Sequence, residues 1–348
     1  MPSPVIVIGR PIGAGHPPFV IAELSANHLG SLARAHAIID AAADAGCDAI
    51  KLQTYTPDAM TLAVSHGDFH IADGPWQGQS LWDLYDEAHT PWDWHAELFA
   101  HGAARGLVVF SSPFDEPAIE RLDRLGAPAF KIASFELVDL ELIARAARTR
   151  KPVILSTGMA SDDEIVEAVD TALRNGAAGV ALLHCVSGYP TPIAETNLRR
   201  LDALARHDTV VGISDHSPGA IVPIAAVARG ASVIEKHLTL ARADGGPDGA
   251  FSLEPAEMAE VVRGAKLAFA ALGDGSARRP AAESGSRKFR RSLYAVEDIA
   301  PGEPLTRSNV RSIRPGFGLP PRVLPTVLGR RAKQAIVRGT ALAWEMIE

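Results

Sequence analysis

PVILSTGMASDDEIVEAVDTALRNGAAGVALLHC (152–185) contains one complete unit of structure. It opens on a short apolar run, PVILST, that ends in hydroxyls. A turn follows, and then an amphipathic stretch with Ser161 as N-cap and Glu164 three residues on, the two halves of a capping box. A second apolar run, VALLHC, closes the segment. Strands this apolar, joined by a crossover helix, belong to a parallel sheet covered on its outer face.

The same pattern runs from about residue 19 to 272. The apolar runs are FVIAE (19–23), AIKLQTY (49–55), LVVFSS (107–112), AFKIAS (129–134), PVILST (152–157), VALLHC (180–185), VVGISD (210–215) and SVIEKH (232–237), with helical stretches such as LARAHAIIDAAADAG between them. Eight βα units over some 250 residues predict an α/β fold, a (β/α)8 TIM barrel spanning residues 1–272. Residues 1–18 predict a hairpin that plugs the barrel bottom. Residues 273–288, rich in Gly, Ser, Pro and charge, predict a linker. Residues 289–348, broken by turns, predict a small compact module.

Composition narrows the function. Of 348 residues, 47% are hydrophobic and 22% charged, and no charge-free run approaches the ~20 residues of a membrane helix. A membrane protein and a disordered chain are both excluded. The start of the chain lacks the basic and apolar pattern of a secretory signal, which predicts a cytoplasmic protein. Two cysteines, Cys47 and Cys185, make neither a disulfide framework nor a zinc cluster. The net charge of −7 is uneven: residues 276–348 carry 14 Lys and Arg against 6 Asp and Glu. That basic tail has no aromatic ladder and no nucleic-acid motif, so no nucleic-acid partner is expected. It suits docking on an acidic body or holding an anionic substrate.

The apolar runs end in an unusual set: Glu23; Lys51 and Gln53; Ser111 and Ser112; Lys131 and Ser134; Ser156 and Thr157; His184, Ser187 and Tyr189; Ser214, Asp215 and His216; Glu235 and His237. The carboxyl ends of barrel strands carry the active site. Ionisable groups there are costly unless they meet a ligand or each other. A polar network that merely closes the mouth is the competing reading, and eight strands sharing the feature weigh against it. Two lysines amid hydroxyls suit a phosphorylated, carboxylated ligand. His216 and His237, on neighbouring strands, suit a divalent metal with open positions. Asp248 falls over the mouth, whereas Cys185 reads as a buried bystander. The segment 56–90 reads as a long loop; it and its flank carry Trp76, Trp82, Tyr85 and Trp92, more aromatic surface than a connector needs. Ser214-Asp215-His216 cannot converge as a catalytic triad, because the three are adjacent. A Schiff-base aldolase using Lys51 or Lys131 stays open.

AELSANHLGS (22–31), IKLQTYTPDAMT (50–61), FSSPFDE (110–116), FKIASFE (130–136), ILSTGMA (154–160), HCVSGYPTP (184–192), GISDHSPG (212–219) and VIEKHLTL (233–240) together resemble the sialic acid synthase family of nonulosonate synthases. The tail resembles that family's antifreeze-like (SAF) domain. SANH, LQTYTPDAMT, LWDLYDEAHTPWDWH (81–95) and AFSLEP (250–255) are most similar to the pseudaminate branch, while HCVSGYPTP is closer to the neuraminate type.

The resemblance implies condensation of phosphoenolpyruvate with an open-chain amino-sugar aldehyde, giving a nine-carbon 3-deoxy-2-keto acid and phosphate. By the same resemblance His216 and His237 hold Mn2+, with Mg2+ or Co2+ as substitutes, and Glu23 orients the sugar or activates water. Lys51, Ser111, Lys131, Ser134, Ser156, Ser187 and Ser214 hold phosphate and carboxylate; Ser187 stands where many relatives carry Asn. Gln53, Tyr189, Asp248 and Glu235 face the sugar or the metal. The SAF domain is expected across the partner's barrel in a domain-swapped homodimer, with Arg314 reaching the partner's sugar site. The alternatives are a neuraminate or legionaminate synthase, a more distant 3-deoxy-keto acid synthase, and an inactive carbohydrate-binding barrel.

Overall fold

A computed structural model describes residues 4–74, 76–278 and 280–348. Residues 1–3 of the expected hairpin and Arg279 of the expected linker lie outside them. The chain divides into two compact units, the first ending at Gly273 and the second running Asp274–Glu348.

The first unit begins with an antiparallel pair, β1 (Val5–Ile8) and β2 (Arg10–Gly13). Gly9 makes the turn at φ +70°, and a Cβ there would lie 2.6 Å from Val108 Cγ2, so both conformation and space require glycine. Eight parallel strands then close into a barrel: β3 (Phe19–Glu23), β4 (Ala49–Thr54), β5 (Val108–Pro113), β6 (Phe130–Ile132), β7 (Val153–Ser156), β8 (Val180–Cys185), β9 (Val210–Asp215) and β10 (Val233–His237), with β10 paired to both β9 and β3. The eight strands predicted from sequence are these eight. In the quoted segment the helix Asp162–Arg174 starts at Ser161 with the capping box formed.

Strand parity sorts the residues. Val20, Ala22, Ile50, Leu52 and Ile234 face outward, where helices such as Leu32–Asp44 and Pro255–Leu272 cover them. Phe19, Ile21, Ala49, Phe110, Ile154, Ala181, Leu183, Val210 and Val233 face inward and form a separate apolar cluster with Ile6, Ile8 and Ile12 of the hairpin. The hairpin therefore stoppers the amino-terminal end of the barrel. Each strand's inward set is apolar low down and polar at the top, so the barrel is packed below and open above.

The segment 56–90 is not a bare loop. Pro57–Met60 and Leu81–Ala88 are helical, the latter capped by the Ser80 hydroxyl, which accepts from the Asp83 N–H at 3.1 Å.

The second unit is built around its own core, including Leu293, Leu305, Val310, Val327 and Leu342, and an antiparallel pair, β11 (Ser292–Ala295) and β12 (Val310–Ile313). In the region read as linker, Ala281–Phe289 coils into 3-10 turns rather than staying irregular.

Candidate functional site

A cavity of about 350 Å3 opens at the carboxyl ends of the barrel strands. Its floor is the polar upper layer of the strands. Lys51 and Gln53 reach it from β4, Ser112 from β5, Lys131 from β6, Ser156 from β7, Cys185 from β8, Ser214 from β9, and Glu235 and His237 from β10. Residues just past strand ends add Ser25, Ser134, Tyr189, His216 and Asp248.

The charges are buried and shared. Lys51 is ion-paired with Glu23 and donates to Ser112 Oγ at 3.1 Å. Lys131 Nζ lies 3.0 Å from Glu235 Oε1, which also accepts from Ser214 Oγ at 2.9 Å. Burial raises the Glu23 carboxyl well above the usual carboxylate range, and Lys51 only partly offsets this. Burial acts the same way on Glu235, but Lys131 and Lys51 outweigh it and hold that carboxyl low. One carboxyl is thus ready to carry a proton while its neighbour stays ionised. Glu235 Oε2, Ser156 Oγ and His237 Nδ1 are buried without hydrogen-bond partners. Orphaned polar atoms gathered in one cavity mark a surface built for something else to bind.

Gly158, just past β7, lets the backbone come close. Its N–H donates to Ser134 Oγ at 3.1 Å, and a Cβ there would lie 2.4 Å from Ser187 Oγ and 2.8 Å from Ser134 Oγ.

One side wall is aromatic. The Tyr189 ring lies 4.4 Å from that of His216, 5.1 Å from Phe251 and 6.0 Å from Trp76. Another wall is apolar. It comes from the 57–88 segment: Met60, Ile71, and Leu81, Leu84, Tyr85 and Ala88 on one face of a short helix at i, i+3, i+4 and i+7.

The metal expectation concentrates on His216 and His237, whose ring centroids are 5.3 Å apart. Burial, reinforced by His216 and the nearby lysines, pushes His237 well below the usual imidazole range, which favours the neutral form a ligand needs. Burial acts the same way on His216, but Cys185 beside it outweighs this and pushes that imidazole up, so His216 must release a proton to bind an ion. His237 Nδ1 has no hydrogen-bond partner and lies 3.8 Å from Asp248 Oδ2. Among the described residues no three His, Cys, Asp or Glu form a closed metal cage. Two imidazoles, one with an orphaned nitrogen, fit an open site whose other ligands are oxygens of water or substrate.

Most of the predicted residues converge here; a few do not. Ser111 is a correction. It pairs with Leu52 in the β4–β5 register, so it faces outward, and its hydroxyl shares a hydrogen bond with Thr54 Oγ1 at 2.7 Å. Ser112, one residue on, takes the inward position. Ser187 is half-buried with its Oγ 4.0 Å from Cys185 Sγ and is not part of the cavity wall. Glu23 lies behind Lys51. Arg314 belongs to the second unit, just past β12. Of the aromatic residues in and beside segment 56–90, Trp76 and Tyr85 reach the cavity, whereas Trp82 donates to Asp58 and Trp92 to the Tyr55 carbonyl. Two polar wall residues were not singled out from sequence. Ser25 sits in a turn whose conformation the sequence does not show. Glu136, in 3-10 turns after β6, has its carboxyl raised by burial to about 7 and an unpartnered Oε2.

Comparison with known proteins adds the lineage. The NeuB family model matches residues 38–277, and the SAF domain model matches residues 290–348. The pseudaminic acid synthase of Helicobacter pylori is 42% identical over 95% of this chain and 98% of its own. That of Campylobacter jejuni is 43% identical over 93% and 95%. Among solved structures, the N-acetylneuraminic acid synthetase of Leptospira borgpetersenii, in complex with citrate, superposes with a TM-score of 0.73 at 34% identity, covering 82% of this chain and 95% of that one.

Proposed function

The chain belongs to the NeuB family, and from that premise we propose that it is a pseudaminic acid synthase. It condenses phosphoenolpyruvate with an open-chain 2,4-diacetamido-2,4,6-trideoxy hexose of altrose type, giving pseudaminic acid and phosphate. The observation that carries this reading is the floor of the cavity: two buried lysines, each shared with a carboxylate, ringed by hydroxyls and by polar atoms that lack partners.

Lys51 and Lys131 hold the phosphate and carboxylate of phosphoenolpyruvate, with Ser134, Ser156 and Ser214 donating hydroxyls and Ser112 in the place expected of Ser111. C3 attacks the aldehyde carbon, water adds at C2, and the tetrahedral intermediate expels phosphate. Glu23, raised by burial to about 7, is the group assigned to take up a proton from that water, by way of Lys51, which stands between it and the cavity. Gln53, Tyr189 and Asp248 orient the sugar. His216 and His237 are the residues to hold a divalent ion, with Mn2+ as first choice, which supplies Lewis-acid polarisation of the aldehyde oxygen. The reaction takes place in the cytoplasm, where phosphoenolpyruvate is available; among the described residues no helix is long and apolar enough to cross a membrane.

A neuraminate synthase is the second reading, since the Leptospira protein shares the fold at lower identity. The apolar wall of Ile71, Leu81 and Leu84 favours the sugar with a methyl at C6 over a hydroxylated one. An inactive carbohydrate-binding barrel would have no use for the charged floor.

The partner is a second copy of the chain, with the SAF unit exchanged and Arg314 completing the neighbour's site. Exposed apolar side chains in the segments that follow the strand carboxyl ends, among them Phe135, Met159, Ile193 and Ile221, support a covered mouth.

Purified protein incubated with phosphoenolpyruvate and a panel of amino-sugars tests the whole reading. The diacetamido sugar should release phosphate fastest, chelator should abolish release and Mn2+ restore it. Preference for N-acetylmannosamine would move the chain to the neuraminate type. Mixing Glu23→Ala with Arg314→Ala chains should recover up to about a quarter of wild-type activity if sites are shared in a two-fold dimer. No recovery, with subunit exchange shown separately, would confine Arg314 to its own barrel or to no role.

A further inference from the structure

The turn after β3 holds an anomaly. Ser25 has φ +47°, in the left-handed region that a non-glycine residue enters only at a cost. It is buried, it lines the cavity, and it is bonded in three directions. Its backbone N–H donates to Glu23 Oε1 at 3.0 Å. Its hydroxyl donates to Asp248 Oδ2 and accepts from Gln53 Nε2 at 2.8 Å. The next amide, Ala26 N–H, also reaches Asp248 Oδ2, at 3.3 Å.

The three partners come from different parts of the barrel: Glu23 from the end of β3, Gln53 from β4, and Asp248 from the segment after β10. Trp76 ties that last segment from the other side, donating its Nε1–H to the Pro247 carbonyl at 3.0 Å. A right-handed conformation at residue 25 would aim the hydroxyl elsewhere. Glycine would adopt the left-handed turn without strain, yet would leave Asp248 and Gln53 without their shared partner. The strained serine makes sense only if the hydroxyl is wanted there.

We infer that Ser25 is a positioning residue, holding Gln53 and Asp248 at fixed places on the sugar side of the cavity while its amide fixes Glu23. The inference rests on the synthase reading above and goes beyond it by naming what sets the geometry of the sugar-facing groups. The Ser25 hydroxyl is already engaged on both sides, donating to Asp248 and accepting from Gln53. Its action runs through the two side chains that it joins.

The test separates strain from positioning. Ser25→Ala keeps the strained turn and removes the hydroxyl; Ser25→Gly removes both. Each is assayed for phosphate release with the diacetamido sugar, with KM measured separately for both substrates, and melted thermally. Both variants should lose on the order of ten- to a hundredfold in kcat/KM for the sugar, the range of a lost hydrogen bond to a charged group. The KM for phosphoenolpyruvate should stay unchanged, because the lysine floor is untouched. Ser25→Gly should melt no lower than Ser25→Ala. Full activity in Ser25→Gly would overturn the inference, since the hydroxyl would then be dispensable. Equal losses towards both substrates that track the melting temperature would overturn it too, by reducing Ser25 to a structural residue. If wild-type protein released no phosphate with any amino-sugar, the synthase reading itself would fall, and this inference with it.

Discussion

Lys236–Asp215 and Lys131–Glu235 are two buried lysine–carboxylate pairs that share strand β10: the first joins it to its neighbour β9, the second reaches it across the barrel from β6. Lys236 Nζ lies 3.0 Å from Asp215 Oδ2, with side chains 0% and 3% exposed. Asp215 also accepts from the Ser217 amide and hydroxyl, each at 3.0 Å, and Lys236 returns a bond to the Ser217 carbonyl. Every polar atom of that pair is used, and it faces outward from the barrel wall. Lys131 and Glu235 are as close and nearly as buried, but they face inward, and Glu235 Oε2 is left without a partner. A closed pair holds structure; an open pair waits for a ligand. Burial and distance alone would not tell them apart, and the count of satisfied atoms does.

Removing one partner from the closed pair should have the largest effect. Lys236→Met strands a buried carboxylate and should lower stability by about 3–5 kcal/mol, read by denaturant unfolding. A loss under ~1 kcal/mol would show that the pair is not the keystone described. Lys131→Met should act on catalysis instead. Phosphate release should fall on the order of 10^2- to 10^3-fold, the cost of one preorganised electrostatic contact. Its unfolding midpoint should move much less than that of Lys236→Met, because Lys51 still faces Glu235.

Glu136 provides a third case, a half-buried carboxyl with no ion-pair partner among the described residues, raised by burial to about 7. The folded protein therefore binds this proton more tightly than the unfolded chain. Its contribution is fully present below pH 4.5 and is lost as pH rises through 7. The expected loss is on the order of 1–2 kcal/mol once solvent screening is included, and Glu136→Gln should flatten the slope between pH 5 and 8. The smallest effect belongs to an exposed pair, Arg174 and Asp170 on one helix face at 2.9 Å. Asp170→Asn should change stability by no more than about 0.5 kcal/mol.

These contrasts also show which features the sequence could carry. The barrel was legible because eight apolar runs alternate with amphipathic helices, and periodicity survives without coordinates. The floor was legible because Lys51, Lys131, His216 and His237 stand where such runs end. Ser111 and Ser112 are not distinguishable in the sequence, because both are serines at the end of one run. Only the register with β4, Leu52 to Ser111 and Gln53 to Ser112, decides which faces in. Ser25 carries no signal in the sequence, because a left-handed φ leaves no mark on residue type unless the residue is glycine. The helix Leu81–Ala88 does leave signals in the sequence, Ser80 before it and apolar residues at helical spacing, but eight residues are too short a stretch for periodicity alone to separate from a loop.

The hairpin stopper has a consequence for traffic. With Ile6, Ile8 and Ile12 sealing the far end of the barrel, the cavity opens at the carboxyl ends of the strands. Two substrates pass through that opening, and two products leave by it. The lysines lie at the floor, and the aromatic and apolar walls stand nearer the entrance. In the reaction proposed above, the compound assigned to Lys51 and Lys131 therefore arrives before the sugar stacks above it, and the phosphate freed at the floor departs behind the product or beside it. A closed base makes the barrel a queue, and the order of service is set by depth.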